Sequence, residues 1–241
     1  MHYGNGQLHG EWNSTSQNVT LWVSMLKEPI PQYTLGGKKL NQVQETRYLG
    51  VTLQANLSFD THISNKVSKA KQQLGMLKSA LYWAPTSAKT LAYKALCRPH
   101  LEYASAAWDP FLQKHIYSIE MVQNQAVRFI LNLKGRDSVS EAAEKLALSS
   151  LEARRKNQRF SLLMRILDEG DKHTALSASY DHLMNQKHVS MQTRAQAKGL
   201  PPTLYARNSL YYNSFLPRTI RDLKEKCNNK DSTDSPNEAN A

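Results

Sequence analysis

Acidic side chains are scarce in this sequence: 20 Asp and Glu stand against 31 Lys and Arg, and no two aspartates are adjacent anywhere. Two-metal nucleotidyl transfer needs carboxylates that hold two ions about 3.5–4 Å apart. Asp60, Asp109, Asp137, Asp168, Asp171, Asp181 and Asp222 instead stand singly, at expected turns, caps and helix ends. That scatter excludes templated polymerisation by this chain alone and predicts no resident metal or cofactor. Cysteine is almost absent. Cys97 and Cys227 are far apart and have no CxxC or Cys/His spacing, which reads as reduced thiols in an intracellular protein, nuclear or cytoplasmic. Eight histidines form no metal-ligand set, and His62, His100 and His115 read as cap or surface residues. Apolar runs stop after a few residues, far short of the ~20 a membrane span needs, and mean hydropathy is −0.58. Residues 1–30 lack the basic start and apolar stretch of a signal peptide. No membrane partner is expected, and no internal repeat occurs.

Positive charge is plentiful. The net charge of +11 is concentrated in residues 61–170, which carry a surplus of +8, while residues 1–60 are neutral. Lys and Arg that displace counterions from phosphates supply most sequence-independent nucleic-acid affinity, so a polyanionic partner is one expectation. A soluble basic protein with no such partner is the other.

Residues 1–30 read as loop, with a short strand over Val19–Met25. Around Gly36-Gly37 a tight hairpin is predicted, because Gly-Gly supplies the positive φ of a two-residue turn. Tyr48–Leu53 reads as a third strand broken by Gly50. From Asp60 the pattern becomes helical. Ile63, Val67, Ala70, Leu74, Leu77 and Leu81 recur at spacings of 4 and 3, an apolar seam that predicts one helix over Asp60–Tyr82. Pro85 stops it, and Thr86 or Ser87 caps a helix over Ala88–Leu96. Pro99 ends or kinks that helix, and Leu101–Trp108 resumes it. Asp109-Pro110 opens a helix carrying Ile116, Ile119, Val122, Ala126 and Ile130. Ser138 with Glu141 and Ser149 with Glu152 read as capping boxes, the second before a long helix ending at Gly170. Residues 171–200 are polar, Tyr205, Tyr211, Tyr212 and Phe215 form an aromatic cluster, and the segment from Cys227 on should be disordered. The fold class is mainly α: a helical bundle after a small β-hairpin region, with a loop-rich C-terminal segment and a disordered tail.

Projected around the first helix, Lys71 and Lys78 flank one side of the apolar stripe and Lys66 and Lys69 the other. Such flanks suit phosphate strands bordering a groove, or lysines snorkelling beside a core. Arg154, Arg155, Lys156 and Arg159 crowd the N-terminal half of their helix, where positive charge gains nothing from the dipole. A phosphate partner and a solvated face explain them equally. Arg218 and Arg221 beside Tyr211, Tyr212 and Phe215 suit stacking on single-stranded RNA, though the aromatics docking onto the helical core is the favoured reading.

The segment LAYKALCRPHLEYASAAWDP, Leu91–Pro110, resembles a block downstream of the polymerase core in LINE-type, jockey-like non-LTR retrotransposon reverse transcriptases. Other blocks follow in that family's order: Tyr48–Leu53, Leu57–Phe59 and His62-Ile63 upstream; Val122-Gln123, Ala126, Arg128–Ile130 and Ser138–Glu141 downstream. Ser150–Glu152 with Arg154-Arg155, and Asn213–Arg221, close the series. The resemblance covers roughly residues 33–222. Leu223-Lys224-Glu225 stands where the family usually has Trp-Asn-x-Leu-Pro, and residues 1–30 do not follow the pattern. The x-x-Asp-Asp palm is absent.

The resemblance implies four segments: 1–32 unmatched, 33–135 primer-grip hairpin and thumb, 136–222 a post-thumb region and 223–241 the tail. It implies a function as the nucleic-acid-binding C-terminal part of an RNA-directed DNA polymerase whose parent uses Mg²⁺, with RNA, an RNA/DNA hybrid or DNA as partner. In that reading Tyr48 and Gly50 belong to the hairpin that holds the primer, Gly50 letting a phosphate approach backbone N–H groups. Lys66, Lys69, Lys71, Lys78, Arg128, Arg154, Arg155, Arg159, Arg218 and Arg221 are the other contact candidates. The alternatives are a helical scaffold that binds a protein through the Ile63–Leu81 seam, and a non-functional, decayed element copy.

Overall fold

The computed structural model describes residues 33–41, 43–135, 137–168 and 209–233. The chain divides into two compact units, residues 1–58 and 59–241.

The first unit contains two antiparallel hairpins. β1 (Thr34–Leu35) pairs with β2 (Lys38–Lys39) across Gly36 and Gly37, both at positive φ as the two-residue turn requires. β3 (Glu45–Tyr48) pairs with β4 (Val51–Gln54), Tyr48 opposite Val51. The single strand expected over Tyr48–Leu53 is therefore a second hairpin. Its turn is Leu49-Gly50, at φ 45 and 82. Glycine adopts that conformation freely, whereas Leu49 carries a local cost of about 1–2 kcal/mol.

The second unit is helical. α1 (Asp60–Ala80) buries Ile63, Val67, Ala70, Leu74 and Leu77 of the predicted seam against the helix over Gln113–Leu131 and the segment from Tyr93 to Glu102, while Leu81, its last member, is the half-buried C-cap. The seam is thus used inside the bundle and offers no protein-docking stripe. α2 begins at Thr86, with Pro85 in the extended cap position, and runs to Ala92. Pro99 has no N–H to give the preceding turn. The chain answers with a five-residue π-turn, Tyr93–Cys97, closed by the Arg98 N–H donating to the Tyr93 carbonyl, and continues as α3 (Arg98–Glu102). Ala104, at φ 52, breaks the helix expected over Leu101–Trp108, leaving the short α4 (Ser105–Trp108).

α5 (Gln113–Leu131) starts three residues after Asp109-Pro110. Ser138 caps α6 (Val139–Lys145), its Oγ accepting the Glu141 N–H at 3.5 Å. The cap of α7 (Leu151–Asp168) is Ser150, not Ser149: its Oγ accepts the Ala153 N–H at 3.2 Å. The Glu120 carboxylate on α5 takes the Glu152 N–H at 2.7 Å. α8 (Ser209–Tyr212) leads to α9 (Phe215–Thr233). Leu216, Ile220 and Leu223 of α9 pack on Phe160 and Leu163 of α7, with Phe215 beside them. α9 runs past Cys227, where disorder is expected, because an anchored helix propagates more cheaply than it nucleates. The readings for 1–30, 171–208 and 234–241 lie outside the described residues.

Candidate nucleic-acid interface

Two sets of cations were candidates, and the fold treats them differently. On α7 the most deeply buried positions lie four apart: Leu151, Arg155, Arg159 and Leu163 are all 2% exposed or less, with Phe160 buried beside them. Two arginines thus sit where leucines would be expected. Their counter-charge is Asp109, whose side chain is 4% exposed. One carboxylate oxygen of Asp109 accepts Arg155 Nε at 2.9 Å and the other accepts Arg159 Nε at 2.8 Å. Arg159 also donates to Asp222 at 2.7 Å and to the Thr219 hydroxyl at 3.3 Å. Arg218 of α9 donates to the backbone carbonyls of Asp109 (2.8 Å) and Pro110 (3.1 Å). Burial pulls the Arg218 guanidinium below its ordinary pKa, with Asp109 opposing.

This hub corrects the reading of Arg155 and Arg159 as phosphate ligands, because both are sealed inside the protein. Arg159 is satisfied by Asp109, Thr219 and Asp222, whereas Arg155 bonds through Nε alone and keeps both terminal nitrogens buried without a hydrogen-bond partner. Arg154 forks onto Glu102, a hydrogen bond that raises its pKa, and is one-third exposed. Arg221 stacks 4.0 Å over the ring of Tyr212, and Arg128 donates to the Lys134 carbonyl just past the end of α5. A 350 Å³ cleft beside the hub is lined by Lys156, Arg159, Arg218 and Arg221, but equally by Asp109, Glu152, Asp222 and Glu225, and so selects neither charge.

The lysines of α1 are different. Lys69, Lys71 and Lys78 are exposed, and Lys66 is half-buried with its Nζ 5.4 Å over the Tyr103 ring. Lys66 and Lys69 face His100 of α3, whose pKa is lowered by burial and then by these two charges. Lys71 and Lys78 occupy the other flank. A feature missed in reading motif by motif lies here. Between Asp60 and Glu102 the sequence holds no acidic residue but seven basic ones: Lys66, Lys69, Lys71, Lys78, Lys89, Lys94 and Arg98. Counting acids along a window would have found it. Also missed were Tyr82 and Trp83, between α1 and α2, 61% and 92% exposed.

In the first unit, Tyr48 is 66% exposed at the end of β3, and Gly50 is accounted for by the positive φ of its turn. His62 is not a surface residue. It is 1% exposed and meets Trp108 edge-on at 5.2 Å. Burial pushes the Cys97 thiol up to about 11, which leaves it protonated and unreactive. Among the described residues no three His, Cys, Asp or Glu side chains are grouped to hold a metal, and no helix is long and apolar enough to cross a membrane.

Over 125 residues the chain is 25% identical to the "Probable RNA-directed DNA polymerase from transposon X-element" of Drosophila melanogaster, a match covering 49% of this chain and 13% of that protein. The relation is to a retroelement reverse transcriptase. No protein-family profile matches the chain, and no solved structure matches it. Three of the reverse-transcriptase-like blocks, WDP at 108–110, SLEARR at 150–155 and PRTIR at 217–221, meet at the Asp109 hub. Much of what makes this chain recognisable therefore holds its helices together. Among the lysines of α1, Lys69, Lys71 and Lys78 remain exposed to solvent.

Proposed function

We propose that this chain is the nucleic-acid-binding, thumb-like C-terminal part of a non-LTR retrotransposon RNA-directed DNA polymerase. It grips the phosphates of RNA, an RNA/DNA hybrid or DNA with Lys66, Lys69, Lys71 and Lys78. The observation that carries the reading is the pair of lysine flanks of α1, Lys66 with Lys69 on one side of the buried seam and Lys71 with Lys78 on the other, with no acidic residue between Asp60 and Glu102. Along an α-helix Lys66 and Lys78 are about 18 Å apart, a span of roughly five nucleotides at ~3.4 Å each. Polymerisation is the activity named for the relative; among the described residues of this chain no three His, Cys, Asp or Glu side chains are grouped to hold a metal ion.

Fluorescence anisotropy with a labelled RNA/DNA hybrid tests this. Four phosphate contacts give a slope of log K against log salt of roughly −3 to −4. Changing the four lysines to glutamine flattens that slope towards zero. Binding indifferent to both salt and these substitutions overturns the reading.

A further inference from the structure

Trp83 is 92% exposed, and Tyr82 meets it edge-on, with centroids 4.8 Å apart and planes at 88°. This geometry braces the indole without covering its faces. An aromatic of this size ordinarily buries 150–250 Å², and here two adjacent ones, Tyr82 and Trp83, stand open to solvent together. Their setting says which kind of ligand suits them. The pair follows directly on α1, whose last turn carries Lys78, and lies between Asp60 and Glu102, an interval with no acidic side chain. An apolar ligand gains nothing from that charge, whereas a nucleic acid uses both parts. Its phosphates take the lysines, and an unpaired base offers a flat face to the ring.

We propose that Trp83, steadied by Tyr82, is a base-stacking post: it takes the face of an unpaired base of a strand whose phosphates run along the α1 lysines. The proposal rests on the phosphate-binding reading and adds its preferred substrate, a duplex with a single-stranded extension. Stacking one base on an aromatic side chain is worth about 5- to 150-fold in affinity by alanine substitution.

The test uses the full chain with three labelled probes: a blunt RNA/DNA hybrid, the same hybrid with a short single-stranded extension, and vesicles of anionic phospholipid. The wild type is expected to bind the extended hybrid more tightly than the blunt one. W83A abolishes that difference and leaves the salt slope intact, W83F keeps most of it, and the melting temperature is unchanged in both because the side chain is exposed. If W83A binds the two hybrids with the wild-type preference, the stacking post is wrong while the lysine grip survives. If the wild type binds neither hybrid, both fall. Loss of vesicle binding in W83A, with hybrid binding unaltered, reassigns the indole to a membrane surface and overturns the proposal.

Discussion

Helix α7 carries Arg154, Arg155, Lys156 and Arg159 close together, and α1 carries Lys66, Lys69, Lys71 and Lys78 over three turns. Read as sequence, both are basic helices beside an apolar stripe, and both resemble phosphate-binding surfaces. In the fold, Arg155 and Arg159 are buried on Asp109 and Asp222, while three of the four lysines face solvent. The difference follows from the side chains and from the supply of acids. Arginine's planar donors can be satisfied by fixed carboxylates in the interior, whereas the compact, strongly hydrated ammonium of lysine stays at the surface. α7 finds Glu102, Asp109 and Asp222 around it. α1 has only Asp60, at its first turn, and that carboxylate is held by His115 at 2.6 Å and Lys114 at 3.7 Å. Basic clusters separate into buried and solvent-facing according to the acids the fold brings near them.

The comparison breaks most visibly at Asp109. D109A leaves two buried guanidiniums facing each other without their shared carboxylate, and removing one partner of a buried ion pair costs about 3–5 kcal/mol. In a thermal melt this lowers the midpoint by roughly 10 °C for a unit of this size. A melt like wild type would mean that α7 is not held by charge. L74A, which removes a 1% exposed leucine from the seam of α1, costs about 2–5 kcal/mol by denaturant titration. An unchanged midpoint would show that α1 does not pack as described.

The smallest expected effect sharpens the α1 side. Burial and the charges of Lys69 and Lys66 lower the His100 pKa in the fold. Protonation therefore favours the unfolded chain, so stability is lost as the pH falls through the ordinary histidine value of about 6.5. Replacing Lys66 and Lys69 by glutamine raises the His100 pKa, and so does a phosphate backbone bound beside it. An NMR titration of the His100 ring reads both shifts. A ring that titrates identically with and without a bound hybrid would place the nucleic acid elsewhere.

What the sequence made legible was local. The 4-and-3 spacing of Ile63 to Leu77 is a property of one helix, and each of those residues is buried. Gly36-Gly37 and Ser138 announced their turn and cap by chemistry that acts within three residues. The second hairpin was hidden because Leu49, a poor residue for positive φ, occupies half of its turn, so that Gly50 reads as a break within one strand over Tyr48–Leu53. The burial of Arg155 was illegible for a different reason: its partner lies 46 positions earlier, and nothing in the helix's own pattern points to it. The ordered blocks, in turn, carried the relation to retroelement polymerases but suggested ligands where the fold uses braces.

The hub also orders events in time. Asp109 leaves the ribosome with no arginine to meet; Arg155 follows 46 positions later and Arg218 follows 109 positions later. At cellular synthesis rates the carboxylate waits roughly 2–9 seconds for its first clasp and about 5–20 seconds for its last. α1 through α5 can assemble in that interval, and α7 and then α9 close over them. The nascent chain therefore has a built-in sequence of assembly, with a single aspartate as the latch that α7 and then α9 must find.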